Sequence, residues 1–169
     1  QRGNNNPYCQ DNEISWFDRS LTQTNADILT FVKKLIRLRK QHPAFLRSEF
    51  LTGTQSDGRR KQDISWYDAQ GNTPDWNQPS SFLAYFLDGS AAETRAERDD
   101  NSFYIILNSG SLDITATICQ PPQGKYWHRL IDTSYPAGED FANPEQAPLL
   151  ENQQKYVVLA ATAVVLILK

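Results

Sequence analysis

Beyond residue 44 the chain breaks into short runs rich in β-branched and aromatic residues, none long enough for a stable helix. The runs are 49–52, 63–67, 81–87, 102–108, 113–119 and 126–131, with a final pair inside 155–168. Turn-forming residues separate them: Asp57-Gly58, Gln70-Gly71-Asn72, Asp88-Gly89, Asn108-Ser109-Gly110 and Gln123-Gly124. Short strands at close spacing with turns between them specify an antiparallel sandwich. A parallel sheet would need helices alternating with the strands, and there are none. Tyr104-Ile105-Ile106-Leu107 is apolar on both faces and is expected in the middle of a sheet. Residues 91–101 are small and charged and read as an exposed hairpin excursion, and 132–152 read as a long surface loop. The apolar tail 157–168 is shorter than the ~20 residues that span a bilayer and reads as buried β-structure.

One helix precedes these runs. The spacing predicts it over 24–41, with Thr24 as its cap and Asp27 three residues on as a weak capping box. Ile28, Leu29, Phe31, Val32, Leu35, Ile36 and Leu38 make a broad apolar face, while Lys33, Lys34, Arg37 and Lys40 fall largely opposite. Cations toward the C-terminal end favour the helix dipole, and Pro43 stops the helix. The fold class is therefore mainly β: an antiparallel β-sandwich over 44–169, preceded by a loop and one helix within 1–43.

The first eighteen residues are different again. Asn4, Asn5 and Asn6 are followed by Tyr8, Gln10, Asp11, Asn12, Glu13 and Trp16, a dense set of amides, carboxylates and aromatic rings. Amides and carboxylates bond hydroxyl groups, and an aromatic plane packs on the apolar face of a sugar ring, so the mixture suits a polyhydroxylated ligand. Asparagines also supply turns and left-handed backbone, and both readings stay open. Tyr8 is read as a ligand contact and Trp16 as a core residue. Asp11 and Glu13 stand two apart in a loop, where they bond backbone donors rather than form an acid pair. Asp18 closes the loop before the helix.

The net charge is −3 with both signs interspersed, so neither a basic stripe for nucleic acid nor a membrane-spanning segment is present in the sequence. Cys9 and Cys119, the only cysteines, form neither a disulfide framework nor a metal-ligand spacing and read as reduced thiols of a cytosolic protein. His42 is assigned to the helix end and His128 to the outer side of a strand, so no metal site or other cofactor is expected. Trp66 and Trp76 could form a sugar-binding platform, but burial is the commoner fate of tryptophan in a β-domain. The 169 residues contain no methionine and start at Gln1, which reads as a piece of a longer protein.

The string from Arg2 to Trp16 resembles the isoamylase and glycogen-debranching branch of the alpha-amylase superfamily, where GNNN-x-YCQDNE-[IL]-[ST]-W follows the eighth strand of a (β/α)8 barrel. Ile36-Arg37-Leu38-Arg39-Lys40-Gln41-His42-Pro43-Ala44 resembles the last barrel helix of that family. Asp63-Ile64-Ser65-Trp66 with Asp75-Trp76 resembles the start of its C-terminal β-domain. Pro7 and Arg19 depart from the pattern, standing where a small residue and a tryptophan are usual. The resemblance implies that 1–43 is the tail of the catalytic barrel and 44–169 an accessory β-domain. It implies a parent enzyme that cleaves α-1,6 branches in glycogen or limit dextrin with retention. Such chemistry needs two carboxyl groups about 5 Å apart. The family's catalytic carboxylates would precede Gln1, so no catalytic residue is assigned and the chain alone is expected to be inactive. Asn4, Asn5, Asn6, Tyr8, Asp11, Asn12 and Trp16 are the candidate substrate contacts. The expected partners are branched α-glucan and the absent barrel, with no nucleic acid and no membrane. The alternative is a stand-alone carbohydrate-binding or self-associating β-domain.

Overall fold

The computed structural model describes residues 11–47, 50–54, 62–90 and 99–169. Among these residues seven strands form two antiparallel sheets. In chain order they are β1 (Ile64–Tyr67), β2 (Phe82–Leu87), β3 (Phe103–Asn108), β4 (Ile114–Thr117), β5 (Trp127–Asp132), β6 (Lys155–Val158) and β7 (Thr162–Leu168). The large sheet runs β1-β2-β3-β7-β5, and β4 pairs with β6 in a small one. β3 lies at the centre, as its two apolar faces require. Six pairs on each side hold it, from Phe82↔Asn108 to Leu87↔Phe103 and from Phe103↔Ile167 to Asn108↔Thr162.

Because side chains alternate along a strand, the large sheet has two apolar faces, and each must be covered. On one face Phe82, Ala84, Phe86, Tyr104, Ile106, Val164, Leu166 and Trp127 meet Ala116 and Val158 of the small sheet. This is the sandwich core. Trp127 is fully buried, its indole donates to the Cys119 carbonyl at 2.8 Å, and its ring lies 5.9 Å from that of Tyr104. On the other face Leu87, Phe103, Ile105 and Ile167 pack with Leu130 and Ile131, where a register shift in β5 brings neighbouring residues into the same cluster.

That second face is closed by the helical segment. A short α1 (Leu21–Thr24) leads into α2 (Ala26–Gln41). The helix starts later than the sequence predicts because Asn25, at φ −114° and ψ 40°, interrupts the run. The Thr24 hydroxyl bonds back to the Ser20 carbonyl, so the expected cap and capping box do not form. α2 docks through Phe31, Lys34 and Leu38. Phe31 meets Phe141 edge-on at 5.6 Å, and Leu38 is buried. Lys34, expected on the solvent side, holds its ammonium 5.6 Å from the centre of the Phe141 ring and donates to the Phe141 carbonyl at 3.1 Å. After the helix, His42 is buried rather than superficial: its Nδ1 lies 2.7 Å from Asp100 Oδ1, and its ring packs on Phe103. Asp100 also accepts from the Ala44 amide.

Other expectations change with packing. Residues 50–52 form no strand, and residue 49 lies outside the described residues. Instead Thr52 and Gly53, the latter at φ +66°, turn their amides onto the Asp63 carboxylate at 2.8 Å each. The proposed excursion 91–101 lies outside the described residues up to 98, but Asp100 and Asn101 are half-buried and Asn101 donates to the Leu168 carbonyl. The segment 132–152 is no simple surface loop. Phe141, Ala147 and Leu150 are buried, and bridges Ile131↔Phe141 and His128↔Leu149 stitch it beside β5. His128 accordingly faces this segment, with Nδ1 2.8 Å from the Ala147 carbonyl.

Two buried groups generate measurable consequences. Burial opposes the charge on Asp63, but the amides of Thr52, Gly53 and Ile64 outweigh it and hold the carboxyl below its usual range. Its stabilising contribution is therefore full above the unfolded-state value of about 3.9 and is lost as pH falls through the lower folded-state value. Asp63→Ala, which strands those donors, costs about 3 kcal/mol. Urea titration of Asp63→Asn shows a smaller loss of stability below about pH 4 than the parent chain.

Tyr104 is the opposite case. Its hydroxyl is buried with no hydrogen-bond partner among the described residues, and burial pushes the phenol well above its usual range. Its contribution is present below the unfolded-state value of about 10 and is lost as pH rises toward the folded-state value. Tyr104→Phe is neutral or stabilising by about 1 kcal/mol at pH 7. Above pH 10 the variant loses stability less steeply, by about 1.4 kcal/mol per pH unit.

Candidate functional site

The polar N-terminal loop was the first candidate site. Asn4, Asn5, Asn6 and Tyr8 lie outside the described residues. Asp11, Asn12 and Trp16 are brought together by a tight turn over 12–16. The Asn12 carbonyl accepts from the Ser15 and Trp16 amides at 3.0 Å each, and its side-chain Oδ1 accepts from the Ile14 amide at 3.0 Å. This folds Trp16 back so that its indole donates to Asp11 Oδ1 at 2.7 Å. Asp11 is thus occupied locally, as a loop-shaping residue would be. Asp18 accepts from both the amide and the hydroxyl of Ser20, and these bonds hold its carboxyl below the usual range. It closes the loop before α1, as the sequence suggests.

Trp16 is not a core residue of this chain. It is 62% exposed, and Phe17 beside it is 71% exposed. The exposure continues along α2. Ile28, Leu29, Val32, Leu35 and Ile36 all face outward, on the side of the helix opposite Phe31, Lys34 and Leu38. The helix is therefore apolar on two sides and buries only one of them. Periodicity identified the apolar residues but could not say which stripe meets the sheet.

Several aspartates of the β-region are committed to architecture. Asp68 accepts from the Gln70 and Asn72 amides, Asp88 from Ser90, and Asp132 from Ser134 and the Tyr156 hydroxyl at 2.6 Å. Burial, then that bond to Asp132, pushes the Tyr156 phenol far above its usual range. Among the described residues no three His, Cys, Asp or Glu side chains cluster in a way that could hold a metal ion, and no helix is long and apolar enough to cross a membrane. A cleft of about 400 Å³ between α2 and the 141–145 segment is lined by Lys34, Arg37, Gln41, Phe141 and Glu145. Its lysine already bonds the Phe141 carbonyl, so the cleft marks where helix and sheet meet.

A second surface has a different character. Trp66 on β1 stands opposite Tyr85 on β2, with ring centroids 5.1 Å apart. Trp76, from the loop between these strands, meets Trp66 at 5.8 Å with the planes 81° apart. Trp66 is 37% exposed and Trp76 64%, so the expected burial of this pair does not occur. The sequence offered the two tryptophans as a possible platform but favoured their burial. What it could not supply is the turn that holds Trp76 outward: Asp75 Oδ1 accepts from the Asn77 amide, and the Asp75 carbonyl from the Gln78 amide.

With this geometry in place, comparison with known proteins is informative. The family model described as Isoamylase, C-terminal matches residues 63–167. The Glycogen operon protein GlgX homolog of Mycobacterium tuberculosis is 36% identical over 148 residues, covering 82% of this chain and 20% of its own length. The isoamylase of Pseudomonas amyloderamosa is 34% identical over 134 residues, covering 77% of this chain and 16% of its own. The chain thus spans about a fifth or less of these relatives. The pullulanase of Bacillus acidopullulyticus superposes with a TM-score of 0.60 at 17% identity, over 98% of this chain and 16% of its own, which is a likeness of fold.

The Asp11–Trp16 bond yields a local prediction. Both partners are exposed, so Asp11→Ala changes global stability by less than about 0.5 kcal/mol. The Trp16 indole proton, followed by NMR, exchanges faster with solvent in the variant, while the Trp127 indole proton is unaffected.

Proposed function

The chain belongs to the isoamylase C-terminal family, and from that premise we propose that it forms the supporting end of a hydrolase that opens α-1,6 branch linkages in glycogen or limit dextrin. The observation that carries this reading is the outward apolar stripe of α2. Ile28, Leu29, Val32, Leu35 and Ile36 are between 38% and 60% exposed, and Leu21, Phe17 and Trp16 before them are exposed as well. Full burial of such a side chain is worth about 1.5–3 kcal/mol. Covering the remaining surface of all five is therefore worth on the order of 5 kcal/mol. A catalytic barrel seated against this stripe supplies that cover, and the β-sandwich on the other side of α2 holds the helix in place.

In this arrangement the N-terminal loop lies at the edge of the substrate groove. Asn4, Asn5, Asn6, Tyr8, Asp11 and Asn12 offer hydrogen bonds to glucosyl hydroxyls, and Trp16 offers a ring face. The turn that pins Trp16 to Asp11 supports the assignment, because a fixed ring loses little entropy on binding. The reacting carboxylates belong to the barrel. We assign the protein to the cytosol, the compartment of the branched substrate proposed here.

Two measurements test the reading. The 169-residue chain incubated with branched limit dextrin releases no reducing ends, and turnover above the buffer control would sink the proposal. In a full-length debranching enzyme carrying this chain, the double substitution Val32→Asp with Ile36→Asp lowers stability by about 3 kcal/mol or more, because it buries unpaired charge. The same pair in the isolated chain leaves stability within about 1 kcal/mol, since both sites face water there. Equal effects in the two contexts would mean that nothing docks on the stripe.

A further inference from the structure

We infer that Trp66, Trp76 and Tyr85 form a binding surface for an α-1,4-linked glucan chain, on the sandwich itself and apart from the N-terminal loop. Trp76 is 64% exposed yet has a fixed backbone, because Asp75 bonds the amide of Asn77 and the carbonyl of Asp75 accepts from Gln78. A large ring held rigidly in water is a cost to folding and a gain to binding, since little freedom remains to be lost. Trp66 stands on the same edge, half-covered by Tyr85 beneath it.

The occupant follows from charge and shape. Between residues 70 and 81 the only charged side chain is Asp75, which is already bonded to the Asn77 amide and side chain. Among the described residues of this loop no cation is offered to an anionic polymer and no unbonded charge to a charged peptide, which fits a neutral ligand. Asn72, Thr73, Asn77 and Gln78 belong to the same loop as Trp76 and are exposed, which offers polar groups to hydroxyls. The indole planes of Trp66 and Trp76 stand 81° apart at 5.8 Å. A β-1,4 glucan is a flat ribbon and needs coplanar rings to stack along it. An α-1,4 glucan turns at each linkage, so that neighbouring glucosyl units present their apolar faces to a bent surface. The two tryptophans are therefore matched to the curved polymer. This surface holds an unbranched stretch of the polymer and contributes nothing to bond cleavage.

The test is binding by the 169-residue chain, which separates it from the cleavage reading above. Maltoheptaose titrated by calorimetry binds the parent chain, and Trp76→Ala weakens binding ~10-fold or more with an unchanged melting temperature. Trp76→Tyr retains most of the affinity, because it keeps a ring. Cellohexaose binds at least ~10-fold more weakly than maltoheptaose. The inference is overturned if maltoheptaose does not bind, if Trp76→Ala binds it as well as the parent, or if cellohexaose competes equally. It is also overturned if sedimentation shows a self-associated chain that Trp76→Ala renders monomeric, for then a second copy occupies the surface. Loss of this inference leaves the assignment of α2 to a barrel intact, since its tests read turnover and the stability of a different face.

Discussion

The large sheet is apolar on both faces, and the rest of the molecule is arranged around that constraint. Phe103, Tyr104, Ile105 and Ile106 in β3 are buried consecutively, as are Leu166, Ile167 and Leu168 in β7. A two-faced sheet cannot stand with one face in water. One face is covered by β4 and β6, which together with it enclose Trp127 and Tyr104. The other is covered by α2, the one-turn helix Pro43–Phe45, and the segment after β5. The helix is thus integral to the β-region: Phe45 meets Phe103 at 4.5 Å, and Leu38 shares a cluster with Leu87 and Leu130.

Polar groups act as fasteners for this cover. Asp63 ties the residues before β1 to the sheet through three backbone donors, with Arg47 3.5 Å away. Asp100 ties the end of α2 to the β2–β3 connection through His42 and Ala44. Asp132 ties β5 to β6 through Tyr156. Each carboxylate sits where irregular backbone has amides that neither sheet nor helix can satisfy. These three aspartates therefore serve structure, which leaves exposed rings and amides to meet ligand.

Those rings lie in two places with different physical histories. Trp16 and the outer stripe of α2 are exposed because the fold uses only one side of a helix that is apolar on two. Trp66 and Trp76 are exposed because a turn holds one of them outward at a sheet edge. The first is the surface we assign to a large apolar cover, the second the one we assign to a neutral glucan chain. Both surfaces are consistent with membership of a family whose relatives are several times longer than this chain.

The sequence by itself determined the strands from residue 63 onward, the turns that separate them and the central position of β3, while the strand it suggested at 49–52 is absent from 50–52. Alternation and punctuation are local, and local patterns survive without tertiary information. It also carried the family likeness and the bent, self-bonded character of 11–18. Only the tertiary structure decided which stripe of α2 is buried, because Phe31-Leu38 and Val32-Ile36 are equally apolar and the sheet's shape selects between them. Only packing placed Lys34 over Phe141, drew 132–152 into the core, and buried His42 beside Asp100. The exposure of Trp66 and Trp76 belongs to the same class. A residue type records what a position can tolerate, whereas its contact with water depends on every segment that folds over it.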